Sequence, residues 1–351
     1  MCSRTFNLGP AATALAAVFA ALVLTRASAA QGPPDYGIQW ATVTHPGNRP
    51  ATQAEAPQFF PPYWKSPIIK GRVDYHYRLS VTEVTVEQWF EFVQAYAPYI
   101  SGNRNDSAFT SPFIRLTQSD PNGPATYEMH PGFGQVPATM SWYYAARFTN
   151  WLHSGKATNR EAFESGVYDS STFQRGPDGA WLRPSERAAG ARFWIPTADE
   201  WIKGAFYDPD RYGLGLDGYW LRPNQGNAPL IPGLPQDGGQ TLHGAPESLF
   251  GYYPVGLFPS VRSPWGLLDL SGGVTEWLGE SGSFSNFVFA KGSSNFGMML
   301  PDSDRLDLFG GTGANFSNFG LRLASVIPSP QFTGVWAAYA FSHFTRRTRR
   351  R

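Results

Sequence analysis

PVGLFPSVRSPWGLLDLSGGVTEW, residues 254–277, is the stretch whose reading decides the fold. It is a run of turns punctuated by apolar anchors. Gly256, Gly266, Gly272 and Gly273 open backbone angles that other residues avoid, and Pro254, Pro259 and Pro264 fix φ. Phe258, Trp265, Leu267, Leu268 and Trp277 supply the area to bury. Propensity alone reads the segment as loop.

Working outward, three helices announce themselves by their caps. Thr85 with Gln88 three residues on forms a capping box. Val86, Trp89, Phe90, Val93 and Tyr96 follow at helical spacing, and Pro98 ends the pattern. Ser141 caps a second helix carrying Ala145, Ala146, Phe148, Trp151 and Leu152. Thr197 and Glu200 box the start of a third, with Trp201, Ile202, Ala205 and Phe206 as its buried stripe. Residues 71–81 alternate as a strand with Val73, Tyr75, Tyr77 and Leu79 on one face. Residues 31–70 are Pro-rich, with PQFFPPYW at 57–64, and read as an extended lead-in that docks by its aromatics. Residues 101–135 and 154–190 read as long polar loops, and no internal repeat is visible.

These blocks, in this order, resemble the sulfatase-modifying-factor family, whose founding members are the formylglycine-generating enzymes. The opening stretch is similar to the family's PVG-x-FP-x-N-x-(F/W)GL-x-D-M-x-GNVWEW. EVTVEQWFEFV at 83–93 resembles EVTN-x-x-Y-x-x-F, PATMSWYYAARFTNWL at 137–152 resembles PV-x-x-VSW-x-DA, and IPTADEW at 195–201 resembles LPTEAEWE. FAKGSSN at 289–295 resembles RV-x-RGGSW, and NFGLRLA at 318–324 resembles GFR-x-A. AFYDP at 205–209 and YWLRPNQGNAP at 219–229 are similar to a secreted bacterial branch of the family. The resemblance implies an α+β, loop-rich, C-type-lectin-like fold over residues 71–326.

It also implies chemistry, which the residues then contest. Formylglycine-generating enzymes bind copper through two cysteines shortly after the GGS block, because soft thiolates hold Cu(I). Here those positions fall at about Gly297 and Asp302, and the one cysteine of the chain is Cys2. No copper site and no formylglycine generation are expected. The family's iron-dependent sulfoxide synthases take histidines from an added helical domain. His45, His76, His130, His153, His243 and His343 are scattered, without a local H-x-x-x-H pair. A metal-dependent oxidoreductase with unrecognised chemistry stays as the alternative function. Asp269 and Glu276 could be paired as acid and base, but their family counterparts belong to the scaffold. The family's calcium turns map to Asn227 and to Gly273, Val274 and Glu276, with Gly273 standing where the family has Asn.

The ends carry address labels. Residues 1–30 read as a cleaved signal peptide: Arg4, the apolar run from Ala11 to Leu24, and the small-residue site Ala27-Ser28-Ala29. The run is too short to span a bilayer, which needs about 20 residues. Residues 327–351 pair Pro328-Ser329-Pro330 with an apolar stretch and an Arg cluster, which resembles the PEP-CTERM sorting tail. That resemblance implies an exosortase as partner, only transient membrane contact, and the surface of a Gram-negative-type bacterium. Arg4, Arg26 and five tail arginines account for seven positive charges, so the formal +1 of the whole chain leaves a body near −6. Such a body lacks the basic face of a nucleic-acid binder. The expectation is a secreted binding or surface-structural module for an extracellular polysaccharide or surface protein. Trp181 and Trp220 are candidate sugar-stacking residues, with loop packing as the plainer role.

Overall fold

Each long helix begins where its cap places it. The computed structural model describes residues 32–57, 70–118, 123–173, 186–281, 287–295 and 304–328. The expected signal peptide, most of the aromatic string at 57–64, Trp181, Gly297, Asp302 and the arginine-rich tail lie outside them. Within residues 34–327, which form one unit, helix α1 spans Val86–Tyr96, α2 Trp142–His153 and α3 Ala198–Phe206. The Thr85–Gln88 and Thr197–Glu200 boxes are both closed, and the Ser141 hydroxyl accepts from the Tyr144 amide. A cap of this kind contributes about 1 kcal/mol.

Strands are short. β1 (Trp40–Val43), β2 (Tyr77–Ser80), β11 (Ala324–Ser325) and β5 (Phe193–Trp194) form one antiparallel sheet in the order β1-β2-β11-β5. Leu79 lies opposite Ala41 on one side and Ala324 on the other, and Ala324 also faces Trp194. β8 (Glu276–Ser281), β9 (Phe287–Lys291) and β10 (Gly310–Gly313) make a second sheet in the order β10-β9-β8. Two hairpins complete the set, β3 (Ile114–Leu116) with β4 (Tyr127–Met129) and β6 (Tyr207–Asp208) with β7 (Gly218–Tyr219). The loop-rich α+β fold is as expected.

Several sequence expectations change. The lead-in at 31–70 contributes β1, an edge strand of the first sheet. The strand expected over 71–81 pairs only at 77–80. All four of those residues are buried, Arg78 and Ser80 included, while Tyr75 is exposed. On α1, Phe92 rather than Phe90 completes the buried stripe. The reason lies in the supposed loop at 101–135. It carries the hairpin β3–β4 and a turn of helix at Ser107–Thr110, and it buries Phe109, Phe113, Ile114 and Tyr127. Phe109 meets Phe92 edge-on, and Phe163, from the other supposed loop, packs at 6.0 Å from the same ring. A second flank of α1 is thereby covered, so the stripe is wider than a single facing layer requires.

Tryptophans tie these layers with their indole N–H groups. Trp89 donates to Phe109 O, Trp142 to Leu278 O and Trp277 to Met140 O, at 2.8–2.9 Å. Each buries a large ring and still satisfies its polar atom.

Candidate functional site: a cleft under the Gly-Gly turn

The stretch 254–277 folds back on itself and meets the ends of three other segments. Its turn at 271–274 pairs with the segment after β9: Gly273 bridges Ser294 in parallel, and the Asn295 amide donates to Gly273 O (3.3 Å). Glu276 bridges Gly320, whose missing Cβ leaves room for Val274; an added Cβ would stand 2.3 Å from Val274 Cγ2. The family-like blocks thus converge.

A buried ion pair locks the convergence. Arg322 and Glu276 are both wholly shielded from solvent. The guanidinium donates to both Glu276 oxygens (2.7–3.2 Å), to Ser80 O and Val81 O (2.7 Å each) and to Leu268 O (2.8 Å). Trp201 Nε1 donates to Glu276 Oε2 (2.6 Å). The polar capacity of the pair is used in full, which is what makes a buried charge tolerable.

Two further carboxylates face the same arginine. Glu83 is 1% exposed. Its Oε1 accepts from the Val274 amide (3.2 Å), and its Oε2 has no partner. Burial, then the neighbouring Asp269 and Glu276, push its carboxyl well above the ordinary range. Asp269 is half-buried, and its Oδ2 accepts from the Gly256 amide (2.6 Å). Burial pushes it up to about 6, against the lowering effect of that amide and of Arg322. Its backbone is left-handed, with φ 57°, a region that Asp enters more readily than most residues but still at a cost.

Above this floor lies a cleft of about 240 Å³. Phe113, Tyr252, Phe258, Phe316 and Phe319 contribute its apolar walls. Thr139, Ser294, Asn295 and Asn318 bring polar groups, and Thr275 adds a buried hydroxyl without a partner. Asp269 is the one charged residue lining it among the described residues. Phe113 stacks on Phe133 at 4.3 Å and meets Tyr252 edge-on at 4.5 Å. Mostly apolar walls with a few convergent polar groups are the usual make-up of a small-ligand site.

The predicted site residues divide. Glu276 and Asp269 do not pair as acid and base: Glu276 serves Arg322 and Trp201, while Asp269 serves Gly256 and the cleft. Gly273 and Val274 line the cleft, but this turn does not fit a calcium ion as arranged. Both Glu276 oxygens are taken, Gly273 O accepts from Asn295, and Glu83 Oε1 occupies the space beside Gly273. Asn227 sits in another turn, where its side-chain oxygen accepts from Arg211 and from the Leu221 amide. No three His, Cys, Asp or Glu side chains gather as a metal site among the described residues. Trp220 is a loop brace: its N–H donates to Asp208 (2.9 Å) and Arg211 lies over its ring. Glu83 escaped the sequence reading. Its signal is an acid just ahead of the apolar start of α1, followed by Val84, Thr85 and Val86, all of them buried.

Comparison with known proteins gives the family. No curated protein matches the sequence significantly. Among solved structures, CarF is similar at 18% identity (TM-score 0.45), covering 83% of this chain and 99% of that one. Treponema denticola variable protein 1 matches at 17% (0.46; 82% and 95%), and PvdO from Pseudomonas aeruginosa at 14% (0.45; 85% and 98%). The model of the sulfatase-modifying factor enzyme 1-like domain matches residues 41–325, from β1 through β11, and the chain belongs to that FGE-sulfatase family.

Proposed function

We propose that this FGE-sulfatase domain works as a secreted binding module that takes its ligand in the cleft under the Gly272-Gly273 turn, without generating formylglycine. The observation that carries the reading is the cleft itself. It has apolar, aromatic walls, one half-buried acid on a left-handed backbone, and an unpartnered hydroxyl at Thr275. Backbone strain of that kind persists where the surroundings over-determine it, often at ligand sites. The only cysteine is Cys2, so the thiolate pair that formylglycine generation requires has no source in residues 41–325. The signal-like start and the PEP-CTERM-like end support export and surface sorting through an exosortase, with an extracellular polysaccharide or surface protein as the partner class.

The test is a glycan and peptide array probed with the purified domain and with Asn318→Trp, which places an indole at the rim. Hits that Asn318→Trp loses support the cleft. Arrays with no hit above background, or one copper or iron per chain by elemental analysis, would overturn the reading.

A further inference from the structure

We infer that the ligand of this cleft carries a cationic ammonium head on an apolar or aromatic body, with the head seated against Asp269. The inference rests on the cleft reading above and names the chemistry of what binds there.

Charge is the first argument. Asp269 is the one charged side chain among the described residues of the lining, and no Lys, Arg or His joins it there. An anionic head would meet a carboxylate with nothing to offset it. Availability is the second. Arg322, the cation facing Asp269, gives its donors to Glu276 and to three backbone carbonyls. Asp269 receives one amide, from Gly256, on Oδ2. No second hydrogen bond to it is found among the described residues, and it lines the cleft.

The third argument is the balance behind the floor. Glu83, Asp269 and Glu276 face a single guanidinium. Glu276 already takes up that guanidinium as its ion-pair partner, and Asp269 is ionised above about 6. One negative charge therefore stays uncompensated at the cleft floor, in surroundings where charges act more strongly than in water. An ammonium group neutralises it. Its body lies among aromatic walls, whose faces attract cations.

Three probes of one shape test this: 2-phenylethylamine, 2-phenylethanol and 3-phenylpropanoate, titrated into the purified protein and followed by NMR shifts. At about pH 7.5 the amine is expected to bind about tenfold tighter than the alcohol, and the carboxylate more weakly than either. Asp269→Asn, which tolerates the same left-handed backbone, brings the amine down to the level of the alcohol. Lowering the wild-type protein to about pH 5 weakens the amine about tenfold as Asp269 takes up its proton, and leaves the alcohol unchanged. That arm holds even where Asp269→Asn fails to fold. His243 lies behind the lining, with Nδ1 3.4 Å from Ser294 O; His243→Gln in the same titration removes any share it has. Equal affinity for amine and alcohol, or a preference for the carboxylate, overturns the ammonium head and leaves the cleft reading standing. No saturable binding of any probe at millimolar concentration overturns both.

Discussion

At the scale of the residue, Gly273 and Glu83 are a matched pair. A Cβ on Gly273 would stand 2.2 Å from Glu83 Oε1, closer than two such atoms approach. A side chain at position 273 and the inward Glu83 therefore compete for one space. Gly273→Ala is expected to cost about 1–3 kcal/mol in urea unfolding, as overpacking against a buried side chain does. In a Glu83→Ala background the same change should cost at least about 1 kcal/mol less, because the atom it meets is gone. Equal costs in the two backgrounds would refute the pairing. The glycine was visible in the sequence as a departure from a pattern. Its cause was not, since Glu83 stands 190 residues earlier and only folding brings it there.

At the scale of elements, what was legible followed local chemistry. α1, α2 and α3 were readable because cap and stripe lie in one contiguous window. β11 has two residues, and β5 two; no periodicity fits in so short a span, and their pairing is decided by partners far along the chain. The supposed loops hid Phe109 and Phe163 for the same reason: a lone aromatic in a polar stretch shows its burial only once α1 is there to receive it. Arg322 is the joint between these elements, linking the end of β2, the turn at Leu268 and the start of β8. Arg322→Lys keeps the charge but loses the fork that reaches three carbonyls and a carboxylate. Equilibrium unfolding should show a loss of about 3–5 kcal/mol, the usual cost of breaking a buried pair. Trp201→Phe, which removes one N–H from the same carboxylate, should lose about 1–2 kcal/mol. A change below about 1 kcal/mol for Arg322→Lys would mean that the joint carries little of the fold.

At the scale of the whole molecule, an acid-sensitive clasp holds the N-terminal segment. Glu55 accepts two hydrogen bonds from Arg49 (2.7 and 2.8 Å), one from the Thr52 amide and one from the Tyr219 amide of β7. Burial alone would raise its carboxyl, yet these donors hold it down at about 2. Its folded value lies below its unfolded value, so its stabilisation is present above about 4.5 and is lost as pH falls through about 2. Glu55→Gln should lower stability by about 2 kcal/mol at neutral pH, allowing for the partial exposure of Arg49. The gap from wild type should close on acidification, read as thermal midpoints across pH; a gap independent of pH would exclude the linkage. The Arg322 joint also bears on the order of events during synthesis. Its carbonyl partner on Ser80 lies 242 residues upstream, and Ser325 meets Arg78 across 247. A growing chain stopped short of residue 322 holds Glu276 without its counter-charge and β2 without one neighbour. The core therefore closes only when nearly the whole domain is available, a long-range closure of the kind that slows folding, and until then its sheet edges stand open.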